Sequence, residues 1–162
     1  MNDPRKLSDF RLDRTTPLKP GNAVCAIITV ETRYLLQLRD NIAGIFFPAC
    51  WGCFGGGMEP GETSVGALVR ELKEELDLTV AAAELQYFTR FDFDLAFAGL
   101  PSIWRDTYDL KLEPSRLAGL RVLEGAAMRL FTAEEILAGD SMLTPYDAFA
   151  LWLHINQRRL IG

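Results

Sequence analysis

The sequence predicts an α/β domain in which helices pack against a mixed β-sheet. Three observations carry that prediction. Short β-branched or aromatic runs are interleaved with helix-patterned segments. The 162 residues suffice for one domain that buries a core without covalent staples. The composition, 49% hydrophobic and 24% charged, is the ordinary globular mix and excludes a disordered or collagen-like chain.

The elements follow in order. Residues 1–22 read as an arm that enters the domain through Pro17, Pro20 and Gly21, so the domain proper is expected over 23–162. Ala23 to Val30 is rich in β-branched residues and predicts a buried strand. Glu31-Thr32 makes a polar turn, and Tyr34 to Leu38 is its hairpin partner. After a loop from Arg39 to Gly44, the aromatic run Ile45 to Phe54 predicts a short strand that leads into Gly55-Gly56-Gly57. Thr63 can cap a helix that runs to Leu76, with Val65, Leu68, Val69, Leu72 and Leu76 on one stripe. Glu84 to Phe93 and Ile103 to Leu112 predict two longer strands joined by the loop Asp94 to Ser102. Ala126 to Phe131 predicts one more strand. Thr132 to Glu135 fits a capping box, and Thr144-Pro145 opens a final helix to about Arg159.

Charge and composition narrow the function. Seventeen basic against 22 acidic residues give a net charge of −5, which excludes a general binder of nucleic-acid polymers. An acidic protein can still act on phosphates where a divalent metal bridges the two. No apolar run nears the roughly 18 residues that cross a bilayer, so no membrane partner is expected. Residues 1–20 have no apolar leader-like core, which makes the cytoplasm the expected location. The single histidine, His154, excludes chemistry that needs two. Cys50 and Cys53 form a CxxC without the second half of a zinc site. They read as two small, semi-buried side chains on a strand.

The chemistry concentrates between Gly55 and Leu78. At about 100° per residue, Glu71, Glu74 and Glu75 share an arc of roughly 100° beside the apolar stripe. Crowded carboxylates cost a helix a few tenths of a kcal/mol per pair. They suit a solvated acidic face, or a site that holds a hard cation through oxygen. A loop with Gly55, Gly56, Gly57, Pro60 and Gly61 stands just before the helix, and its backbone can approach a metal or a phosphate closely. Loop and glutamates together favour the site.

These residues resemble the signature of the Nudix hydrolases, G-x5-E-x7-R-E-U-x-E-E-x-G-U, with U a bulky aliphatic. Gly56, Glu62, Arg70, Glu71, Leu72, Glu74, Glu75 and Leu78 hold its places. Asp77 departs from it, standing where the family has a helix-ending glycine. The resemblance implies an α/β/α sandwich and a hydrolase that cleaves a phosphoanhydride of a nucleoside diphosphate linked to another group, by water attack at phosphorus. It implies Mg2+, with Mn2+ as the alternative. Glu71, Glu74 and Glu75 would be metal ligands, with Gly55 through its carbonyl and Glu124 from a later loop. Glu71 would orient or deprotonate the water, and Arg70 would pair with a carboxylate such as Glu62.

Arg39, Gly56, Gly57 and Trp51 are the expected substrate contacts, and the substrate is a small-molecule nucleotide, a nucleoside triphosphate or a nucleotide sugar first. Phe46, Phe47, Phe91, Phe93 and Trp104 are further stacking surfaces or core. Arg105 and Asp106, neighbours on a strand, could contact a substrate or each other. A homodimer is open, since dimers are common among such proteins. The alternative is a nucleotide sensor on the same fold without turnover, which loss of the glutamates would favour; none is lost.

Overall fold

The structure, a computed structural model, describes residues 9–161; residues 1–8 of the expected arm lie outside the described residues. The strands are β1 (Ala23–Val30), β2 (Arg33–Leu38), β3 (Trp51–Gly52), β4 (Gln86–Phe93), β5 (Ile103–Lys111) and β6 (Ala127–Phe131). The helices are α1 (Ser64–Leu76), α2 (Pro114–Leu117), α3 (Ala133–Ala138) and α4 (Pro145–Ile161). One mixed sheet runs β3-β2-β1-β5-β4, with β6 on the free edge of β2. β1 and β5 are parallel, from Ala23 opposite Arg105 to Thr29 opposite Lys111, and the other pairs are antiparallel. The expected α/β/α sandwich with a mixed sheet is what the chain forms.

Each face of the sheet has its own core. On one, Val24, Ala26, Ile28 and Leu35 meet Ala67, Leu68, Leu72 and Leu76 of α1. On the other, Ile27, Leu36 and Phe131 meet Ile136 of α3 and Leu151 of α4. The period-two alternation of β1 feeds both cores, which explains why it is apolar except at Thr29. Packing decides the fate of α1. Burial of each of its three leucines is worth about 1.5–3 kcal/mol, far above the few tenths that the crowded glutamates cost. Thr63 caps the helix as expected, its hydroxyl accepting from the Gly66 amide at 3.1 Å. At the other end Asp77 takes the left-handed conformation (φ 54°, ψ 26°) that the family's glycine would supply. That conformation costs a non-glycine residue about 1–2 kcal/mol, and an ion pair with Lys73 offsets part of it.

The strand expected over Ile45 to Phe54 shrinks to Trp51–Gly52. Pro48 cannot donate to a ladder, and Phe47 (φ 50°) and Ala49 (φ 56°) are left-handed on either side of it. β4 starts at Gln86, because Ala82–Glu84 forms a 3-10 turn closed by the Ala81 amide on the Glu84 carboxylate at 2.7 Å. The short helix α2 and a turn at Ala96–Ala98 were not expected.

One feature of the sheet places the site. β1 and β2 pair only near their turn, from Ile28 opposite Leu35 to Val30 opposite Arg33. Beyond that the hairpin splays, and residues 51–57 fill the gap. Leu38 pairs with Trp51 on one side, while Ala26 and Ala23 of β1 meet Phe54 and Gly57 on the other. The glycine loop is therefore wedged into the middle of the sheet, directly ahead of α1.

Candidate active site

Two glycines let the wedge lie where it does. A Cβ on Gly55, whose φ is 135°, would stand 2.2 Å from the Val24 carbonyl oxygen. A Cβ on Gly56 would stand 2.6 Å from a carboxylate oxygen of Glu71. The backbone thus touches β1 on one side and the acidic face of α1 on the other. Val24 and Ala26 donate to the carbonyls of Gly56 and Phe54, both at 2.9 Å. The Gly55 amide turns instead to Glu75 Oε2 at 2.8 Å.

Glu75 is the most enclosed acid of the group, at 6% exposure. Gln37 Nε2 donates to its other oxygen at 3.0 Å. Burial pushes the Glu75 carboxyl up to about 7; the bonds from Gln37 and Gly55 oppose the rise, and the charges of Glu71 and Glu124 add to it. Burial also raises Glu71, with Arg70 opposing and Glu74 and Glu124 adding. Arg70 is a four-way clamp. Its Nε and Nη2 grip both oxygens of Glu62 at 2.8 and 2.9 Å, Nη1 donates to Glu71 at 2.7 Å and Glu74 at 3.0 Å, and Nη2 also reaches the Gly57 carbonyl at 3.0 Å. That grip, together with the Glu59 amide, holds the Glu62 carboxyl down to about 2.

Glu71, Glu75 and Glu124 line one cleft of ≈ 330 Å³, whose floor is Gly55 to Gly57 and whose walls include Gln37, Arg39 and Asp40. Glu74 is outside this lining, half exposed and tied to Arg70. Among the described residues, no three His, Cys, Asp or Glu side chains are already gathered as a cation cage. The donor set nevertheless fits a hard divalent cation. It is all oxygen, and burial, with the neighbouring carboxylates adding, raises Glu71 and Glu75. Gly56 leaves no side chain in the space beside Glu71.

A second cleft of ≈ 460 Å³ adjoins the first and shares Arg39 and Gly55 to Gly57 with it. Phe46, Phe47, Phe93, Trp104 and Tyr146 give it an aromatic lining. Arg39 stands at the junction, with its Nε on the Phe46 carbonyl at 2.8 Å. Arg105 reaches this cleft while its Nη2 donates to Asp147 at 3.0 Å, so the neighbours Arg105 and Asp106 do not pair with each other. Asp106 instead takes Arg90 at 2.7 and 2.9 Å and the Ser64 hydroxyl at 2.7 Å.

Two expected aromatics go elsewhere. Trp51 lines neither cleft. Strand alternation puts it with Cys53 on the α4 side, edge-on to Phe131 at 5.0 Å. Phe91 stacks on Phe149 of α4. Cys50 and Cys53 are free thiols that flank β3, fully buried rather than semi-buried. Three site residues were missed. Gln37 had a signal, as one polar residue within an apolar strand. Asp147 had one too, in the Thr144-x-x-Asp147 spacing, where the Thr144 hydroxyl donates to Asp147 at 2.7 Å. Tyr146 had none.

A carboxylate cleft floored by glycines adjoins an aromatic cleft, and together they define the class of site. The NUDIX domain model matches residues 19–145, and the chain belongs to that family. It is 51% identical over 59 residues to the nucleoside triphosphatase NudI of Enterobacter sp. (strain 638), covering 36% of this chain and 41% of that one. The match thus spans less than half of that curated relative. Among solved structures, the MutT NUDIX hydrolase of Burkholderia pseudomallei superposes with a TM-score of 0.64 at 24% identity, over 82% of this chain and 96% of that one. A bifunctional NMN adenylyltransferase/ADP ribose pyrophosphatase of Francisella tularensis, solved with AMP and a Mn ion, gives 0.61 at 20% identity, over 87% of this chain and 43% of that one. These two likenesses are of fold.

Proposed function

We propose that the protein is a Mg2+-dependent pyrophosphohydrolase of small nucleotides, with nucleoside triphosphates ahead of nucleotide sugars. One observation carries this. A buried Glu75, held by the Gly55 amide, shares a cleft with Glu71 and Glu124, and that cleft opens beside an aromatic one. The similarity to a nucleoside triphosphatase orders the substrates.

A divalent cation, Mg2+ or the Mn2+ seen in the Francisella relative, supplies when bound the charge that lets phosphate oxygens approach the carboxylates, and it acidifies water. Glu71, Glu75 and Glu124 would hold it, with the Gly55 carbonyl and Glu74 as further ligands. Glu71 orients the attacking water and accepts its proton as the new P–O bond forms and the anhydride P–O bond breaks. Arg70 keeps Glu71 in place by gripping Glu62 and the Gly57 carbonyl. Arg39, at the junction of the clefts, meets the phosphate next to the nucleoside. Three free thiols fit a reducing cytoplasm, and no described helix is long and apolar enough to cross a membrane.

The test is product-resolved hydrolysis of triphosphates, nucleotide sugars, ADP-ribose and dinucleoside polyphosphates, with Mg2+ and with a chelator. The expected result is one class cleaved far ahead of the rest and only with metal. Nucleotide binding without turnover of any of them overturns the reading in favour of a sensor.

A further inference from the structure

The aromatic cleft has a lopsided polar chemistry. Its lining carries Lys19, Arg39 and Arg105 and no aspartate or glutamate, in a chain whose net charge is −5. Lysine and arginine donate hydrogen bonds and accept none. Asn22 adds to the same side, because its carbonyl oxygen already accepts from the Trp104 amide at 3.1 Å, which leaves its NH2 donors. The flat walls call for a flat ligand, and the donors call for a ligand edge made of acceptors.

Arg105 is the focus. Its side chain is 11% exposed, with the guanidinium over the Tyr146 ring at 4.5 Å. Nη2 is taken by Asp147 Oδ1, while Nε is buried with no hydrogen-bond partner. Asp147 cannot take it, since Oδ2 already accepts from the Cys53 amide at 2.9 Å and the Thr144 hydroxyl at 2.7 Å. A buried N–H left without a partner is unfavourable, so the Arg105 head is not fully satisfied by the protein alone. Asp147 therefore anchors the guanidinium through Nη2 alone, while Arg105 lines the cleft.

We infer that this cleft selects nucleobases by their keto oxygen, with Arg105 as the specificity-determining residue. Guanine offers O6 and N7, and thymine or uracil offers O4, all acceptors. Adenine and cytosine place an amino group at the corresponding edge, which sets N–H against N–H and leaves Arg105 unpaired. A site built to hydrogen-bond one group rejects the analogue lacking it more strongly than an apolar pocket rejects a change of size. Arg39 stays with the phosphates, so the preference rests on Arg105 and Asn22.

The inference rests on the nucleotide reading above, and the experiment separates the two. Matched pairs, dGTP with dATP and dUTP with dCTP, are compared by kcat/KM in the wild-type protein. The monophosphates dGMP, dAMP, dUMP and dCMP are compared by calorimetric binding. The keto member of each pair is expected to lead by roughly 10-fold or more in both measurements. In R105K, which keeps the charge opposite Asp147 but lacks the fork, the lead falls toward one, chiefly through a higher KM for the keto base. The triphosphate of 2-aminopurine deoxyriboside lacks the O6 of guanine. In the wild-type protein it is expected to lose the same factor, which tests the contact even where R105K fails to fold. Equal use of both members, or a lead that survives in R105K, overturns the inference. Turnover without base preference sinks it and spares the hydrolase reading; monophosphate binding with the preference but no turnover does the reverse.

Discussion

The two clefts share a floor but are built in opposite ways. The carboxylate cleft takes its floor and two of its three acids from one continuous segment. Gly55 to Gly57, Glu71 and Glu75 all belong to a loop and the helix that follows it. The aromatic cleft is assembled from the arm at 19–22, the turn at Phe46-Phe47, the two strand ends at Phe93 and Trp104, and Tyr146 at the start of α4. The first holds acids that repel one another, while the second holds cations and rings. Chemistry common to a class of reactions can reside in a local segment, whereas selection of one substrate draws on parts of the chain that meet only through the tertiary fold.

The strongest way to break this contrast is in the first cleft. Glu75→Gln is expected to lower kcat by roughly 1,000-fold while the thermal transition stays or rises, because a buried carboxylate is removed. Steady-state kinetics beside a melting curve check both, and near-normal turnover would falsify the ligand assignment. Gly56→Ala comes next. Its Cβ would push the flexible end of Glu71, not backbone, so turnover should fall roughly 10- to 100-fold, with about 1 kcal/mol or less lost in stability. A larger loss of stability than of activity would show that Gly56 serves packing rather than the carboxylate.

The border of the aromatic cleft offers a pH test. Burial works against the Asp106 charge, but the bonds from Arg90 and Ser64 outweigh it and hold the carboxyl below its ordinary 3.8. A lowered acid stabilises the fold above its unfolded pKa, and that stability is lost as pH falls through the folded value. Asp106→Asn should therefore be less stable than wild type at pH 6 by about 1–2 kcal/mol, with the gap closing below about pH 4. Denaturant melts at several pH values measure this, and a gap constant with pH would contradict it. The smallest effect is expected from Cys50→Ser combined with Cys53→Ser. Neither residue lines a cleft, so kcat/KM should stay within about twofold, though burial of the new hydroxyls costs stability. A tenfold loss of rate would give the pair a chemical role that the geometry does not.

The same contrast governs what the sequence discloses. Spacing brings Glu71, Glu74 and Glu75 to one arc, because a helix converts spacing into geometry, and the family resemblance adds Gly56, Glu62 and Arg70. Thr63 and Asp77 are legible as helix ends for the same reason. The aromatic run from Ile45 is not. Its rings suggest a strand, but Pro48 and two left-handed residues turn the backbone, and only then do Phe46 and Phe47 face the cleft while Trp51 faces Phe131. Asp147 and Arg105 are 42 residues apart, and neither reveals the other until α4 lies across the sheet.

The wedge between β1 and β2 has a bearing on how the protein works in time. The floor of the carboxylate cleft is a loop whose carbonyls at Phe54 and Gly56 accept from Ala26 and Val24, beside the core that α1 forms with the sheet. The Val24 and Ala26 amides that hold it are expected to be among the slowest to exchange their hydrogens. Entry and exit then fall to the walls, the 19–22 arm and the turn around Phe47, where side chains are exposed and the backbone lacks a ladder. In the proposed reaction, a slow conformational step is therefore expected at the walls and not at the floor.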